Sequence, residues 1–162
     1  MNTTRRRWLQ LAGRIVKLAA ITGFAGSLVA MSAFFLANDL IVQPVLGRAT
    51  GLPPAWLIVP AFLATGLIVL VVKWAWRRTR PEETGADVSS LDRYSLPSGH
   101  AARAGVLVSL MPDPVVWLFA AAVAIARVVA KRHYVSDVLA GFAIGIVCGL
   151  LTSAALTGSG IP

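Results

Sequence analysis

Two histidines and an aspartate stand among clustered basic residues, a combination suited to phosphoryl chemistry. His133 precedes Asp137 by four positions, so in a helical turn the carboxylate can hold an imidazole N–H. A histidine oriented in this way can act as a nucleophile or general base, and a second histidine, His100, can protonate a leaving oxygen. Lysine and arginine neutralise phosphoryl oxygens, arginine through two parallel hydrogen bonds. The residue types therefore predict a phosphate site with two histidines.

Four basic residues are spaced to supply the cations of such a site. Lys73, Arg77 and Arg80 lie at i, i+4 and i+7, which predicts one helix face carrying three positive charges. Arg127 comes six residues before His133, near the end of an apolar run. Ionisable residues at membrane depth are functional candidates because they are costly there.

The segment Pro97-Ser98-Gly99-His100 has the composition of a helix start. Backbone N–H groups at a helix N-terminus are available to bind an anion, and Gly99 allows a ligand to approach the backbone closely. Metal ligation is the competing use of histidine and aspartate. The many nearby cations oppose a metal ion, and Cys148, the single cysteine, provides no Cys-based metal site or disulfide within one chain.

Composition places these residues in a membrane protein. Of 162 residues, 57% are hydrophobic and only 14% are charged, and the mean hydropathy is +0.74. Soluble domains are near half apolar and a quarter charged. Disorder and a nucleic-acid-binding domain are therefore excluded, despite a net charge of +8. One small polytopic domain is the natural expectation.

Apolar runs predict an all-α transmembrane bundle of about five helices, because a spanning helix needs about 20 mostly apolar residues. The predicted helices cover residues 18–37, 56–76, 98–111, 115–130 and 138–156, the third being short and buried among the others. Residues 38–54 and 81–97 are expected to form loops. The predicted organisation is a basic amphipathic lead-in (1–17), one transmembrane domain (18–156) and a short tail (157–162).

Alternating helix direction gathers the unusual polar residues on one side of the membrane. The second helix ends and the third begins there, as the fourth ends and the fifth begins. Of 15 lysines and arginines, only Arg48 falls on the far side. The positive-inside rule then predicts that the polar side is cytoplasmic.

Three motifs together resemble the signature of the type 2 phosphatidic acid phosphatase superfamily, which comprises membrane lipid phosphatases related to vanadium haloperoxidases. The motifs are Lys73-x6-Arg80-Pro81, Pro97-Ser98-Gly99-His100 and Arg127-x5-His133-x3-Asp137, and the similarity covers residues 55–156. One departure is Ala126, which stands where the family usually has a serine before the arginine. A hydrogen bond is lost there, but no residue that performs the chemistry.

The resemblance implies a role for each motif residue. His133 would be the nucleophile that forms a phosphohistidine, Asp137 would orient it, and His100 would be the acid and then the base. Further residues would hold the phosphoryl oxygens: Lys73, Arg80, Ser98, the Gly99 N–H and Arg127. The family requires no metal and no cofactor.

Residues 91–104 and Lys131-Arg132-His133 are similar to the branch that acts on polyisoprenoid diphosphates. Arg103 lies one turn beyond His100 and is a candidate to bind a second phosphate, or to form an ion pair with Asp92 or Asp137. Arg77 and Arg78 are each a candidate headgroup contact or a plain interfacial cation.

The expected activity is a metal-independent lipid phosphatase in a bacterial plasma membrane, with an isoprenoid diphosphate favoured. The alternative substrates are phosphatidate, phosphatidylglycerol phosphate and a polyprenyl-linked sugar phosphate. The alternative function is lipid-phosphate binding or transport without catalysis. The expected partners are a lipid phosphate and membrane lipids, without nucleic acid. The oligomeric state is left open.

Overall fold

The computed structural model describes residues 24–47, 51–81 and 93–158, and these residues form helices and their connections without a strand. The helices are α1 (Phe24–Ala37), α2 (Gln43–Leu46), α3 (Ala55–Trp76), α4 (Gly99–Leu110), α5 (Pro114–Val129) and α6 (Val135–Gly158). A π-helical turn, Asn38–Val42, joins α1 to α2. The predicted all-α bundle with five main helices is confirmed.

Two helices of the described part of the chain are long and apolar enough to cross a membrane. They are Ala55–Trp76 and Val135–Leu156, with mean hydropathies of 2.5 and 2.1. Each has 22 residues, which corresponds to about 33 Å of helix. Helix α4, with 12 residues, is shorter and buried along most of its length, as predicted from its short apolar run and its ionisable residues His100 and Arg103.

Residues 38–46, expected to belong to a loop, are helical instead. Pro44 lacks an N–H group and would clash with the carbonyl four residues earlier in a regular helix. The π-helical turn directly before it widens the backbone, and Pro44 then occupies the first turn of α2, where proline is tolerated. Gly47, at φ 62°, ends this helix. Asp39 in the turn accepts a hydrogen bond from the Ala55 N–H and so caps α3.

Glycines bring α4 and α6 into backbone contact. A β-carbon at Gly145 would lie 1.8 Å from the Ala102 carbonyl oxygen, and one at Gly141 would lie 2.3 Å from that of Ser98. Gly141, Gly145 and Gly149 are spaced by four, the small-residue pattern that allows close helix crossing in membranes. The crossing fixes the start of α6 against the start of α4, where the Ser98 N–H donates to the Asp137 carbonyl at 2.9 Å.

The outer segments of the predicted organisation are only partly covered. The lead-in at 1–17 and the first residues of the first predicted helix, 18–23, lie outside the described residues. Helix α6 continues to Gly158, and residues 159–162 of the predicted tail also lie outside the described ranges. Within the described chain, α1 packs on α3 through Phe35 and Phe62, whose ring centroids are 6.2 Å apart.

Candidate active site

The motif residues meet at one end of the bundle, as the alternating helix direction predicts. Lys73 lies in the last turn of α3 and Arg127 in the last turn of α5. Ser98 is the N-cap of α4, and Asp137 lies in the first turn of α6. Six motif side chains are buried, and His100 is half-buried; the six are Lys73, Arg80, Ser98, Arg127, His133 and Asp137.

Three buried cations surround both histidines. The Lys73 ammonium is fully buried and donates to the Tyr94 carbonyl. Arg80 donates through a terminal guanidinium nitrogen to the Arg132 carbonyl at 3.1 Å. The charges of these two residues and of Arg127 act on His100 as well as on His133. The two histidines therefore share one cationic pocket.

Arg77 does not join this pocket, so the three-cation helix face of the sequence prediction is not formed. Helix α3 ends at Trp76, and Arg77 adopts a left-handed conformation with φ 47° as its C-cap. Its exposed side chain turns back to donate to the Trp74 carbonyl at 3.1 Å. Arg80 is brought to the pocket by a non-helical segment rather than by a third helical turn.

A main-chain carbonyl holds the ring of His133. Its Nδ1 lies 2.7 Å from the carbonyl oxygen of Ser95. Because a carbonyl can only accept a hydrogen bond, Nδ1 carries the proton and Nε2 carries a lone pair. Ser95 is itself fixed, since its N–H donates to the Arg78 carbonyl at 2.9 Å and its hydroxyl donates to the Thr79 carbonyl at 2.8 Å.

His133 stays unprotonated in this environment. Burial, followed by the charges of Lys73, Arg80 and Arg127, lowers its pKa from 6.5 to about 2, against the opposing effect of the Ser95 hydrogen bond. The connection between α5 and α6 thus presents a neutral imidazole at physiological pH, with the lone pair needed by a nucleophile.

Asp137 is close to His133 but is bonded elsewhere. Its Oδ2 lies 3.9 Å from Nδ1 of His133, beyond hydrogen-bond distance, and accepts instead from the Tyr134 N–H at 2.9 Å. Its Oδ1 forms an ion pair with Arg78 at 2.9 Å. The direct hydrogen bond expected from the four-residue spacing is therefore absent, and the carboxylate provides a nearby negative charge.

The start of α4 supplies the predicted helix N-terminus. The Ser98 hydroxyl accepts from the Ala101 N–H at 3.5 Å, and Gly99 opens the helix. The first N–H groups of a helix have no partners within it, which makes this end suited to an anion. Gly99 and His100 thereby border the cationic pocket from α4.

Arg103 lies one turn further into the bundle and is buried. Its guanidinium donates to the hydroxyl of Ser27 on α1. Of the two ion-pair partners expected from the sequence, Asp92 lies outside the described residues, and the Asp137 carboxylate is bonded to Arg78 and Tyr134. The contact with Ser27 links the first helix to the helix that carries His100.

Sequence reasoning missed Ser95 and left Arg78 unassigned between a headgroup contact and an interfacial cation. Ser95 acts through its carbonyl, which no side-chain pattern reveals. Arg78 sits between the motif positions Lys73 and Arg80, and adjacency to Arg77 made the two indistinguishable. Only the left-handed turn at Arg77 directs the one side chain outward and the other toward Asp137.

Comparisons with known proteins agree with this architecture. A sequence profile of the PAP2 superfamily matches residues 54–160 of the chain. A solved structure, that of a transmembrane PAP2-type phosphatidylglycerolphosphate phosphatase from Bacillus subtilis, superposes with a TM-score of 0.57 at 23% identity. The superposition covers 96% of this chain and 79% of that one, and it shows a shared fold. The chain therefore belongs to the PAP2 superfamily and is, in broad class, a membrane lipid phosphatase.

Proposed function

We propose that the protein hydrolyses lipid phosphates through a phosphohistidine on His133. The observation that carries the proposal is the ring of His133, whose Nδ1 is 2.7 Å from the Ser95 carbonyl inside a pocket of buried cations. That contact leaves the Nε2 lone pair available for attack. The cations match the charge of a phosphoryl group, and their stabilisation grows as negative charge develops in the transition state.

In the first step Nε2 of His133 attacks phosphorus, and the bond from phosphorus to the lipid oxygen breaks. The negative charge of the bound phosphate offsets the neighbouring cations, so that His100 can hold a proton in the complex. His100 donates this proton to the departing oxygen, so the lipid leaves as an alcohol or, from a diphosphate, as a monophosphate. Lys73, Arg80 and Arg127 bind the phosphoryl oxygens, with Ser98 and the Gly99 N–H at the start of α4. The phosphorylated imidazole gains positive charge, which the carboxylate of Asp137 offsets.

In the second step water attacks phosphorus and His100, now neutral, takes a proton from that water. The bond from phosphorus to Nε2 breaks, inorganic phosphate leaves, and both histidines return to their initial states. Every proton in this cycle is moved by a side chain of the pocket. The proposal therefore includes no metal ion and no cofactor.

An isoprenoid diphosphate is the proposed substrate. Its support is the similarity of residues 91–104 to the polyisoprenoid branch and the buried cation Arg103 one turn beyond His100. Phosphatidylglycerol phosphate is the second candidate, because the Bacillus subtilis protein with the similar fold is a phosphatidylglycerolphosphate phosphatase. The excess of basic residues beside the pocket supports a cytoplasmic site in a bacterial plasma membrane.

Phosphate release by the purified protein in detergent tests the proposal. Farnesyl diphosphate, farnesyl phosphate, phosphatidate and phosphatidylglycerol phosphate are compared with EDTA present and with His133→Ala as the blank. We expect release that persists in EDTA, is fastest with farnesyl diphosphate and falls ~10³-fold or more in the variant. Headgroup binding without release from any substrate would contradict the catalytic proposal, and loss of release in EDTA would contradict the metal-free route.

A further inference from the structure

Arg78 connects the two groups that flank Nδ1 of His133. Its main-chain carbonyl accepts from the Ser95 N–H at 2.9 Å, and Ser95 in turn accepts from His133. Its guanidinium donates to Oδ1 of Asp137 at 2.9 Å and to the hydroxyl of Ser136 at 2.8 Å. One residue thus holds the acceptor of the imidazole proton with its backbone and the neighbouring carboxylate with its side chain.

The guanidinium of Arg78 is itself held in place. Its central carbon lies 4.2 Å from the centroid of the Tyr134 ring, within the range of a cation–π contact. The Tyr134 N–H donates to Oδ2 of Asp137, so the tyrosine supports both members of the ion pair. Asp137 is completely buried, whereas the Arg78 side chain is 36% exposed. The buried carboxylate is therefore bonded to a cation whose side chain is partly exposed.

On the basis of the proposed function, we propose that Arg78 is a positioning residue. It fixes Asp137 beside His133 and acts on phosphoryl transfer through that carboxylate. A buried carboxylate without its ion-pair partner is strongly disfavoured and rearranges or takes up a proton. Without Arg78, Asp137 would lose its 2.9 Å partner and its place 3.9 Å from Nδ1. The charge that offsets the phosphorylated imidazole would then be misplaced.

The first test compares Arg78→Gln with Arg78→Lys and with Arg93→Gln, which removes the same charge from an exposed arginine preceding the site. Rates are divided by the amount of protein recovered in the monodisperse fraction of size-exclusion chromatography, which counts folded protein. We expect kcat to fall roughly 10- to 100-fold in Arg78→Gln, the range that one charge-assisted hydrogen bond supports, with KM within about twofold. Arg78→Lys should recover most of the loss, and Arg93→Gln should match the wild type.

A double-mutant cycle tests whether the effect passes through Asp137. If it does, Arg78→Gln in an Asp137→Asn background should change kcat by less than about twofold, because the carboxylate that it positions is already gone. If the fold-decrease in kcat of the double variant equals the product of the fold-decreases of the two single variants, the proposal is overturned. It is also overturned by a raised KM at unchanged kcat, which would make Arg78 a substrate contact, or by an Arg78→Lys variant as slow as Arg78→Gln.

The two proposals fail in distinguishable ways. Wild-type rates in both His133→Ala and Asp137→Asn would remove the phosphohistidine mechanism itself. Inactive His133→Ala together with a fully active Arg78→Gln would leave the mechanism intact and remove only the role of Arg78.

Discussion

The carbonyl oxygen of Ser95 lies 2.7 Å from Nδ1 of His133, across 38 positions of sequence. This contact leaves Nε2 as the nitrogen that attacks phosphorus in the proposed mechanism. The imidazole of the proposed nucleophile is therefore held by the main chain just before α4. The spacing of the sequence predicts the Asp137 side chain in this role instead.

The site of phosphorylation follows from this tautomer. We expect the trapped phosphoenzyme to carry phosphorus on Nε2 of His133, because Nδ1 is occupied by the hydrogen bond to Ser95. The measurement is ³¹P–¹⁵N NMR of the alkaline-denatured phosphoenzyme labelled with ¹⁵N-histidine, with His133→Ala as the control that should show no signal. Phosphorus on Nδ1 would contradict the assigned orientation of the ring.

The pH dependence follows from the lowered pKa of His133. In the proposed mechanism the neutral imidazole is the active form, and burial with the neighbouring cations lowers its pKa to about 2. We therefore expect kcat/KM to show no loss from His133 protonation between pH 8 and pH 5. The ionisation of the substrate phosphate is measured by ³¹P NMR in the same micelles, and kcat/KM is first corrected for the fraction of substrate in each protonation state. A remaining acidic limb near pH 6.5 would indicate an ordinary, solvated imidazole.

The glycine contacts predict a selective effect on stability. Gly145→Ala places a methyl group 1.8 Å from the Ala102 carbonyl oxygen, so α4 and α6 must separate. We expect destabilisation of about 1–3 kcal/mol, seen as a lower Tm in detergent, together with reduced activity. Gly158→Ala in the same helix is the matched control, since nothing lies within 4 Å of a β-carbon there. Equal Tm values for the two variants would contradict the close crossing.

The buried Arg103 allows a test of substrate choice. If its guanidinium binds the second phosphate of a diphosphate, Arg103→Ala should lose the preference for farnesyl diphosphate over farnesyl phosphate, while hydrolysis of the monophosphate continues. Ser27→Ala, which removes a partner on α1 but keeps the guanidinium, should retain the preference. An equal fall in both activities in both variants would instead assign Arg103 a structural role linking α1 to α4.

Much of this arrangement could be predicted from the sequence, because long apolar runs impose helices and alternating direction decides which ends meet. That argument predicts Lys73, Arg127 and Asp137 on the same side of the membrane, and the residue types and motif spacing predict that they share a phosphate site. The π-helical turn at Asn38–Val42 could not be predicted, since Pro44 favours a break in any regular helix and only packing selects the wider turn.

The details at the site depended on backbone conformation. Arg77 adopts φ 47°, a backbone conformation that residues other than glycine and asparagine rarely take. The sequence spacing does not reveal this turn, so the predicted helix face extended one turn beyond the end of α3. The same turn sends Arg78 to Asp137. The four-residue spacing of His133 and Asp137 brought their side chains near each other, but competition from Ser95, Arg78 and Tyr134 for their polar atoms decided the hydrogen bonds.

Because four helix ends meet at one end of the bundle, the pocket lies where it can take its substrate from the membrane surface. A lipid phosphate whose headgroup lies at the water boundary reaches such a pocket by lateral diffusion, without its chain leaving the bilayer. The encounter is then two-dimensional, and the quantity that saturates the pocket is the number of substrate molecules per unit area of membrane. Adding water to a membrane suspension leaves that surface density unchanged, whereas adding other lipids to the membrane lowers it.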